Sequence, residues 1–261
     1  MKKILKYLVA NLANFINGLL GYRFPDYFCE RDRVYVLLFG IEPDISKLLK
    51  RKLKPGMTVL DVGSNVGLIT RLCSRIVSAT GHVWAFEPDP YTRNFLDHNV
   101  SRCNNVTVSP IGLYDKNSSE NFYIHPGSGT SNSLLAFEAA SHSIVVECMT
   151  LDTFLNQHPH ISPNCIKIDV EGAEIKVLAG MKNTIERFSS LFLIIEFCPQ
   201  NLANGGYTTH DFFDILKSLN LNIQYIQTNG ETKVISTHQE LMNELGSAIY
   251  CNLLCHRSEF I

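Results

Sequence analysis

Residues 59–67 read Val59-Leu60-Asp61-Val62-Gly63-Ser64-Asn65-Val66-Gly67. A short apolar run ending at Asp61 has the character of a buried strand. Gly63 and Gly67 follow four residues apart, and Leu68, Ile69, Leu72, Ile76 and Val77 then recur at helical spacing. The predicted unit is strand, glycine turn, helix, with bare backbone beside a helix N-terminus. A glycine there takes φ > 0 freely and puts no Cβ in the way of a ligand approaching the main chain. The pattern D-x-G-x-x-x-G lacks the middle glycine of the dinucleotide fingerprint G-x-G-x-x-G, and no G-K-[ST] phosphate-loop ending follows. Taken alone, the segment is also compatible with an ordinary turn.

A second apolar run, Val83-Trp84-Ala85-Phe86, ends in Glu87-Pro88-Asp89-Pro90. Glu87 lies 24 residues beyond Gly63, close to the offset of about 20 at which nucleotide folds place an acid on ribose hydroxyls. The competing role for Glu87 is as cap of a helix starting near Pro90. A third segment, residues 166–181, reads Ile-Lys-Ile-Asp-Val-Glu-Gly-Ala-Glu-Ile-Lys-Val-Leu-Ala-Gly-Met, and Leu151-Asp152 precedes it.

Together these three motifs resemble the FkbM family of S-adenosylmethionine-dependent methyltransferases, over roughly residues 40–200. Ser64 is a small departure, since the family more often has Ala there. The resemblance implies an α/β fold, the Rossmann-like class I methyltransferase sheet of seven strands in order 3-2-1-4-5-7-6, the last strand antiparallel. It implies S-adenosyl-L-methionine as cofactor, bound through Asp61, Gly63, Ser64, Asn65, Gly67, Glu87, Pro88 and Asp169. The implied reaction is O-methylation of a small-molecule acceptor, a sugar or other polyhydroxylated metabolite such as a glycan or natural-product hydroxyl.

Methyl transfer is an in-line displacement. The protein must align the reacting atoms and take a proton from the nucleophile. In open α/β sheets this work falls at the carboxyl ends of strands, so the candidate catalytic groups are Asp169, Glu171 and Glu196. Strand alternation puts Lys167 and Asp169 on one face. Glu171 and Glu174 are expected three apart on the first turn of a helix over 171–187. Glu174 there is explained by the helix dipole. Two uses of the acids stay open: one carboxylate as general base, or a set of oxygen ligands for Mg²⁺ or Mn²⁺. His125, His142 and His210 are placed in loops near the expected mouth, without any metal-ligand spacing.

At 261 residues the chain accommodates one α/β domain with additions. A net charge of −2 gives no case for nucleic acid. Lys47, Lys50, Arg51, Lys52 and Lys54 read as a solvated helix face. Eight scattered cysteines without C-x-x-C read as buried free thiols in a reducing cytoplasm. Residues 1–20 carry an amphipathic pattern too polar to span a bilayer; it fits a packed helix, a partner contact or peripheral membrane contact. The division expected is an N-terminal helical extension over 1–54 and a methyltransferase domain over 55–261. Within the latter, 110–152 is read as an inserted β-hairpin, with strands near 121–125 and 143–149. Beside the methyltransferase reading stand a nicotinamide oxidoreductase and, from a different class, a fold-retaining scaffold without turnover. The missing middle glycine disfavours the first, and the retained set of Asp61, Gly63, Gly67, Glu87 and Asp169 disfavours the second.

Overall fold

A computed structural model describes residues 16, 18, 20–28, 33–34, 42–125, 132–136 and 140–257. The amphipathic pattern at 1–20 and the glycine- and serine-rich loop at 126–131 therefore lie largely or wholly outside the described residues. After helix α1 (Pro43–Lys52) the chain alternates strand and helix: β1 (Thr58–Val62), α2 (Leu68–Val77), β2 (His82–Phe86), α3 (Pro90–Val100) and β3 (Val106–Ser109). The strands β4 (Gly112–Leu113), β5 (Ser118–Ile124) and β6 (His142–Met149) follow, then α4 (Leu151–Gln157), β7 (Cys165–Ile168), α5 (Glu174–Ala179), α6 (Lys182–Arg187) and β8 (Phe192–Phe197). The chain continues through α7 (Pro199–Asn204), α8 (Thr209–Ser218), β9 (Asn222–Ile226), β10 (Thr232–Ile235), α9 (His238–Leu245) and β11 (Cys251–His256).

The main sheet runs β10-β9-β11-β8-β7-β1-β2-β3. Strands β1, β2, β3, β7 and β8 pair in parallel, and β11 is antiparallel to both β8 and β9. Seven strands thus take the expected order, and the expected count is corrected by an eighth, β10, which hairpins onto β9 at the edge. Its sequence, Thr-Lys-Val-Ile, is short and exposed at Lys233 and Val234, as an edge strand can be. The central strands are buried on both faces: every residue of β7 is buried, as are four of five in β1. This is why they read as continuous apolar runs rather than alternating ones.

Two further expectations are corrected. The insertion is a three-stranded sheet, β4-β6-β5, not a hairpin alone, because Gly112–Leu113 adds in parallel to β6. The helix expected over 171–187 is two helices and starts only at Glu174. Asp152 makes the second start: its carboxylate accepts the amides of Asn183 (3.1 Å) and Thr184 (2.8 Å), capping α6.

Of the basic cluster, Lys47, Lys50, Arg51 and Lys54 are exposed as expected and Lys52 is half-buried, while Ile45, Leu48 and Leu49 on the other face of α1 are buried. Ahead of α1, residues 20–28 lie along α2 and α3. Arg71 donates to the carbonyls of Leu20 and Gly21, Asn99 clasps both backbone groups of Arg23, and the Tyr27 hydroxyl pairs with Thr92.

Candidate active site

A cavity of about 510 Å³ opens at the carboxyl ends of β1, β2, β7 and β8, a size typical of small-molecule sites. It sits where strand order reverses between β1 and β7, the place where open α/β sheets bind ligands. Asp61, Gly63, Ser64, Asn65, Glu87, Pro88, Asp169, Glu171 and Glu196 all line it. Of the residues predicted for the site, Gly67 is not on its wall. It caps α2 at φ +81 and packs that helix on Leu96 of α3.

The turn after β1 is held by backbone. The amides of Gly63 (3.1 Å) and Ser64 (3.0 Å) donate to the Phe86 carbonyl, and the Ser64 hydroxyl closes the turn onto the Asp61 carbonyl (2.6 Å). Asn65 has φ +50, and its amide donates to Glu87 Oε2 (2.9 Å). Glu87 Oε1 accepts the Asp89 amide (3.0 Å). The cap of α3 is Asp89, which accepts the amides of Tyr91 and Thr92. Glu87 is therefore not spent as a cap: each carboxylate oxygen, held by one backbone donor, keeps a further acceptor site at the cavity wall.

A second cluster forms behind the end of β7. Lys167, nearly wholly buried, donates to Asp169 Oδ2 at 2.7 Å. Asp61 accepts the Thr70 hydroxyl on Oδ2 (2.5 Å), while its buried Oδ1 has no partner. Buried Oε2 of Glu42 and Oδ1 of Asn65 are likewise unpartnered. These orphaned acceptors suit a ligand that brings hydrogen-bond donors and positive charge, since a buried acceptor left unmade is costly.

One oxygen each from Asp169, Glu171 and Glu196 lies within 4.8 Å of the others. Glu171 sits in a loop at φ +54, not on a helix face with Glu174. Asn201 donates to its Oε2 (2.6 Å), and Ser133 of the insertion donates to its carbonyl (2.8 Å). Buried Glu174 accepts the amides of Val170 (3.1 Å) and Gly172 (3.2 Å), so it orders the loop that presents Glu171. Glu174 also sits in the first turn of α5, as the dipole reading expects, and the loop contacts add to that role. The Glu196 carboxylate takes no hydrogen bond from any described residue.

Burial sets the electrostatics. It pushes Glu42 up to about 7, Glu87 to about 8 and Glu174 to about 7. Glu171 and Glu196 are also raised, by burial first and by neighbouring carboxylates second. Burial alone would lower Lys167, but Asp169, Glu42 and Asp61 outweigh it and hold the ammonium well above its ordinary value. The raised carboxyl groups keep protons in the folded state that the unfolded chain releases near its ordinary carboxylate range. Their stabilisation is complete below that range and is lost as pH rises through the folded values. The melting temperature of ligand-free protein should therefore fall between about pH 5 and 8.5, the reverse of a protein held by depressed carboxylates. A flat or rising profile in a thermal scan would contradict this.

Several lining residues carried no prediction. Lys167 was placed on the face of Asp169 without a role, although a lysine inside an apolar strand must find a charged partner. Glu42 and Phe28 arrive from before the glycine motif, Phe122, Asn132 and Leu134 from the insertion, Asn201 from α7, and Ile249 and Tyr250 from the loop before β11. No histidine is among the described residues that line the cavity; His210 instead stacks on His238 at 3.6 Å between ring centroids.

A parallel sheet with a glycine turn after its first strand, an acid after its second and carboxylates after the next two is the arrangement of an S-adenosylmethionine-dependent methyltransferase. Residues 61–225 match the Methyltransferase FkbM domain, and the chain belongs to that family. It is 29% identical over 188 residues to the hexuronic acid methyltransferase AglP of Haloferax volcanii, covering 72% of this chain and 73% of AglP. It is 26% identical over 187 residues to the 2-O-methyltransferase NoeI of Sinorhizobium fredii, covering 66% of this chain and 76% of NoeI. Among the described residues no helix is long and apolar enough to cross a membrane.

Proposed function

We propose that this chain methylates a hydroxyl of a sugar, with Glu196 as general base and Glu171 beside it. The observation that carries the reading is the pair of Glu171 and Glu196, both of raised proton affinity, at the strand ends of a cavity shared with the glycine turn. Once ionised, a carboxylate of raised proton affinity is a stronger base than an ordinary one. Glu196 has no donor among the described residues to compete for its lone pairs. The activities of AglP and NoeI point the same way for the acceptor.

Bound S-adenosylmethionine supplies an electrophilic methyl group on a sulfonium. In this reading Glu87 accepts the two ribose hydroxyls, and Gly63 lets the main chain approach the cofactor closely. Asp61, through its unpartnered Oδ1, and Asp169 receive the cofactor ammonium. Ser64, Asn65 and Pro88 shape the wall, and Gly67 acts indirectly by seating α2 on α3. Glu171, steadied by Asn201, orients the acceptor hydroxyl, and Glu196 takes its proton as the new bond forms. The buried free cysteines fit work in a reducing cytoplasm.

Closeness of Asp169, Glu171 and Glu196 also favours a second reading, in which they hold Mg²⁺ or Mn²⁺. Against it stands Lys167, which already supplies a cation to Asp169. One set of measurements tests both. Glu87→Ala should lose most of its affinity for S-adenosylhomocysteine in calorimetry. Glu196→Gln should bind it normally yet turn over about a hundredfold more slowly. EDTA should leave wild-type turnover unchanged, and a loss restored by added metal would favour the ion. Normal turnover by Glu196→Gln would remove the assigned base.

A further inference from the structure

Glu171 is held in an unfavourable backbone conformation. Its φ of +54 is one that a non-glycine residue adopts at a cost of about 1 kcal/mol or more. Such a conformation persists only where the surroundings over-determine it, and three contacts do so. Glu174 takes the amides on either side, from Val170 (3.1 Å) and Gly172 (3.2 Å). Asn201 donates to Oε2 at 2.6 Å. A Cβ at Gly172 would stand 2.4 Å from the Asn201 carbonyl oxygen, so α7 also presses on this turn. The third contact is the Ser133 hydroxyl, which donates to the Glu171 carbonyl at 2.8 Å. Glu174 and Asn201 lie on helices that follow β7 and β8, whereas Ser133 comes from the insertion.

Ser133 is fastened to the insertion sheet through its backbone. Its amide donates to the Tyr123 carbonyl (3.1 Å) and its carbonyl accepts the Tyr123 amide (2.8 Å). Tyr123 lies in β5, which pairs with β6 over its full length. The Ser133 hydroxyl, buried at 3% exposure, accepts the Leu135 amide (3.1 Å) as well as donating to Glu171. Alternation along an extended chain turns its neighbours the other way: Asn132 and Leu134 line the cavity and Ser133 does not. Asn132 Oδ1 accepts the His125 amide at 2.8 Å. A backbone amide only donates, so this contact fixes which atom is the oxygen and leaves the Asn132 NH₂ as the donor group.

We infer that Ser133 is a positioning residue for methyl transfer: its hydroxyl ties the insertion wall of Phe122, Asn132 and Leu134 to Glu171. The surface against which the acceptor lies and the carboxylate that orients its hydroxyl thereby keep one spacing. The inference rests on the methyltransferase reading above and on the role given there to Glu171. Without the Ser133 hydroxyl, the Glu171 carbonyl and the Leu135 amide each lose a partner, and the strained residue loses one of its three restraints. A displacement of about 1 Å at a reacting centre costs about a hundredfold in rate.

The test uses the full chain, methyl-labelled S-adenosylmethionine and three acceptors: methyl glucoside, methyl galactoside and methyl glucuronide. With an acceptor that the wild type methylates, Ser133→Ala should lower kcat about tenfold or more. Its KM for S-adenosylmethionine and its affinity for S-adenosylhomocysteine should stay unchanged. Ser133→Thr keeps the hydroxyl and should recover most of the lost kcat. Hydrogen exchange on protein loaded with S-adenosylhomocysteine gives a readout independent of the acceptor. The Val170 and Gly172 amides should exchange about fivefold or more faster in Ser133→Ala and at the wild-type rate in Ser133→Thr. Unaltered exchange or unaltered kcat in Ser133→Ala overturns the inference, as does a Ser133→Thr that behaves like Ser133→Ala. If the wild type binds S-adenosylhomocysteine but methylates none of the three, the sugar reading fails and the exchange comparison decides on Ser133. Failure to bind S-adenosylhomocysteine at all would bring down the methyltransferase reading and this inference with it.

Discussion

Replacing Gly63 by alanine should destabilise the protein by about 3–5 kcal/mol and abolish measurable binding of S-adenosylhomocysteine. Two costs combine. Gly63 has φ +78, and a non-glycine residue held there costs of the order of 1 kcal/mol or more. The larger cost is steric: a Cβ at this position would stand 1.8 Å from the carbonyl oxygen of Asp169. That contact is with backbone, so no side-chain rotation relieves it; β1 and the β7 loop would have to part, at the place where Asp169 is presented. Gly206 provides the control, because it has φ +79 with nothing within 4 Å of the corresponding Cβ. Gly206→Ala should cost only the conformational part, about 1 kcal/mol. Chemical denaturation of both variants separates the two costs. Equal destabilisation would mean that the close approach of the two strand ends contributes nothing.

Lys167→Met should be comparably damaging, at about 3–5 kcal/mol, because it leaves Asp61, Asp169 and Glu42 gathered around a vacated cation position. At this chain length that corresponds to a fall of roughly 6–20 °C in melting temperature. The loss should shrink in acid, where the stranded carboxylates take up protons. The wild-type lysine has a folded value above its ordinary one. Its stabilisation is therefore complete below the unfolded value near 10.4 and fades as pH climbs through the folded one. Adding Asp169→Asn to Lys167→Met should recover about 1–3 kcal/mol, the coupling expected of a buried pair. Strict additivity of the two changes would argue that Lys167 is held by packing alone.

The parts of this molecule legible in its sequence are those fixed locally. Val59 to Gly67 announces strand and turn because a strand buried on both faces must be apolar, and a turn at positive φ favours glycine. Glu87, Asp169 and Glu196 are legible because each ends an apolar run, and the topology brings the ends of parallel strands together. What escaped depends on long-range closure. Glu42, Phe28 and Tyr250 approach the cavity from chain distances that no spacing rule encodes. Strand β10 is four residues of an exposed edge, with little apolar signal to mark it. The break between α5 and α6 was hidden because its cause, the Asp152 carboxylate, lies some 30 residues upstream. Glu171 was placed on a helix because its neighbours read as helical, whereas Glu174 uses its carboxylate to hold the preceding loop in a different shape.

The family match spans residues 61–225, but among the described residues the cavity wall runs from Phe28 to Tyr250. Everything proposed for cofactor contact and proton transfer falls inside the matched stretch. Glu42, Phe28, Ile249 and Tyr250 fall outside it and complete the enclosure. The enclosure therefore extends past the family-matched stretch on both sides. A substitution at Phe28 or Tyr250 should change which molecule is admitted while leaving every proposed reacting group in place.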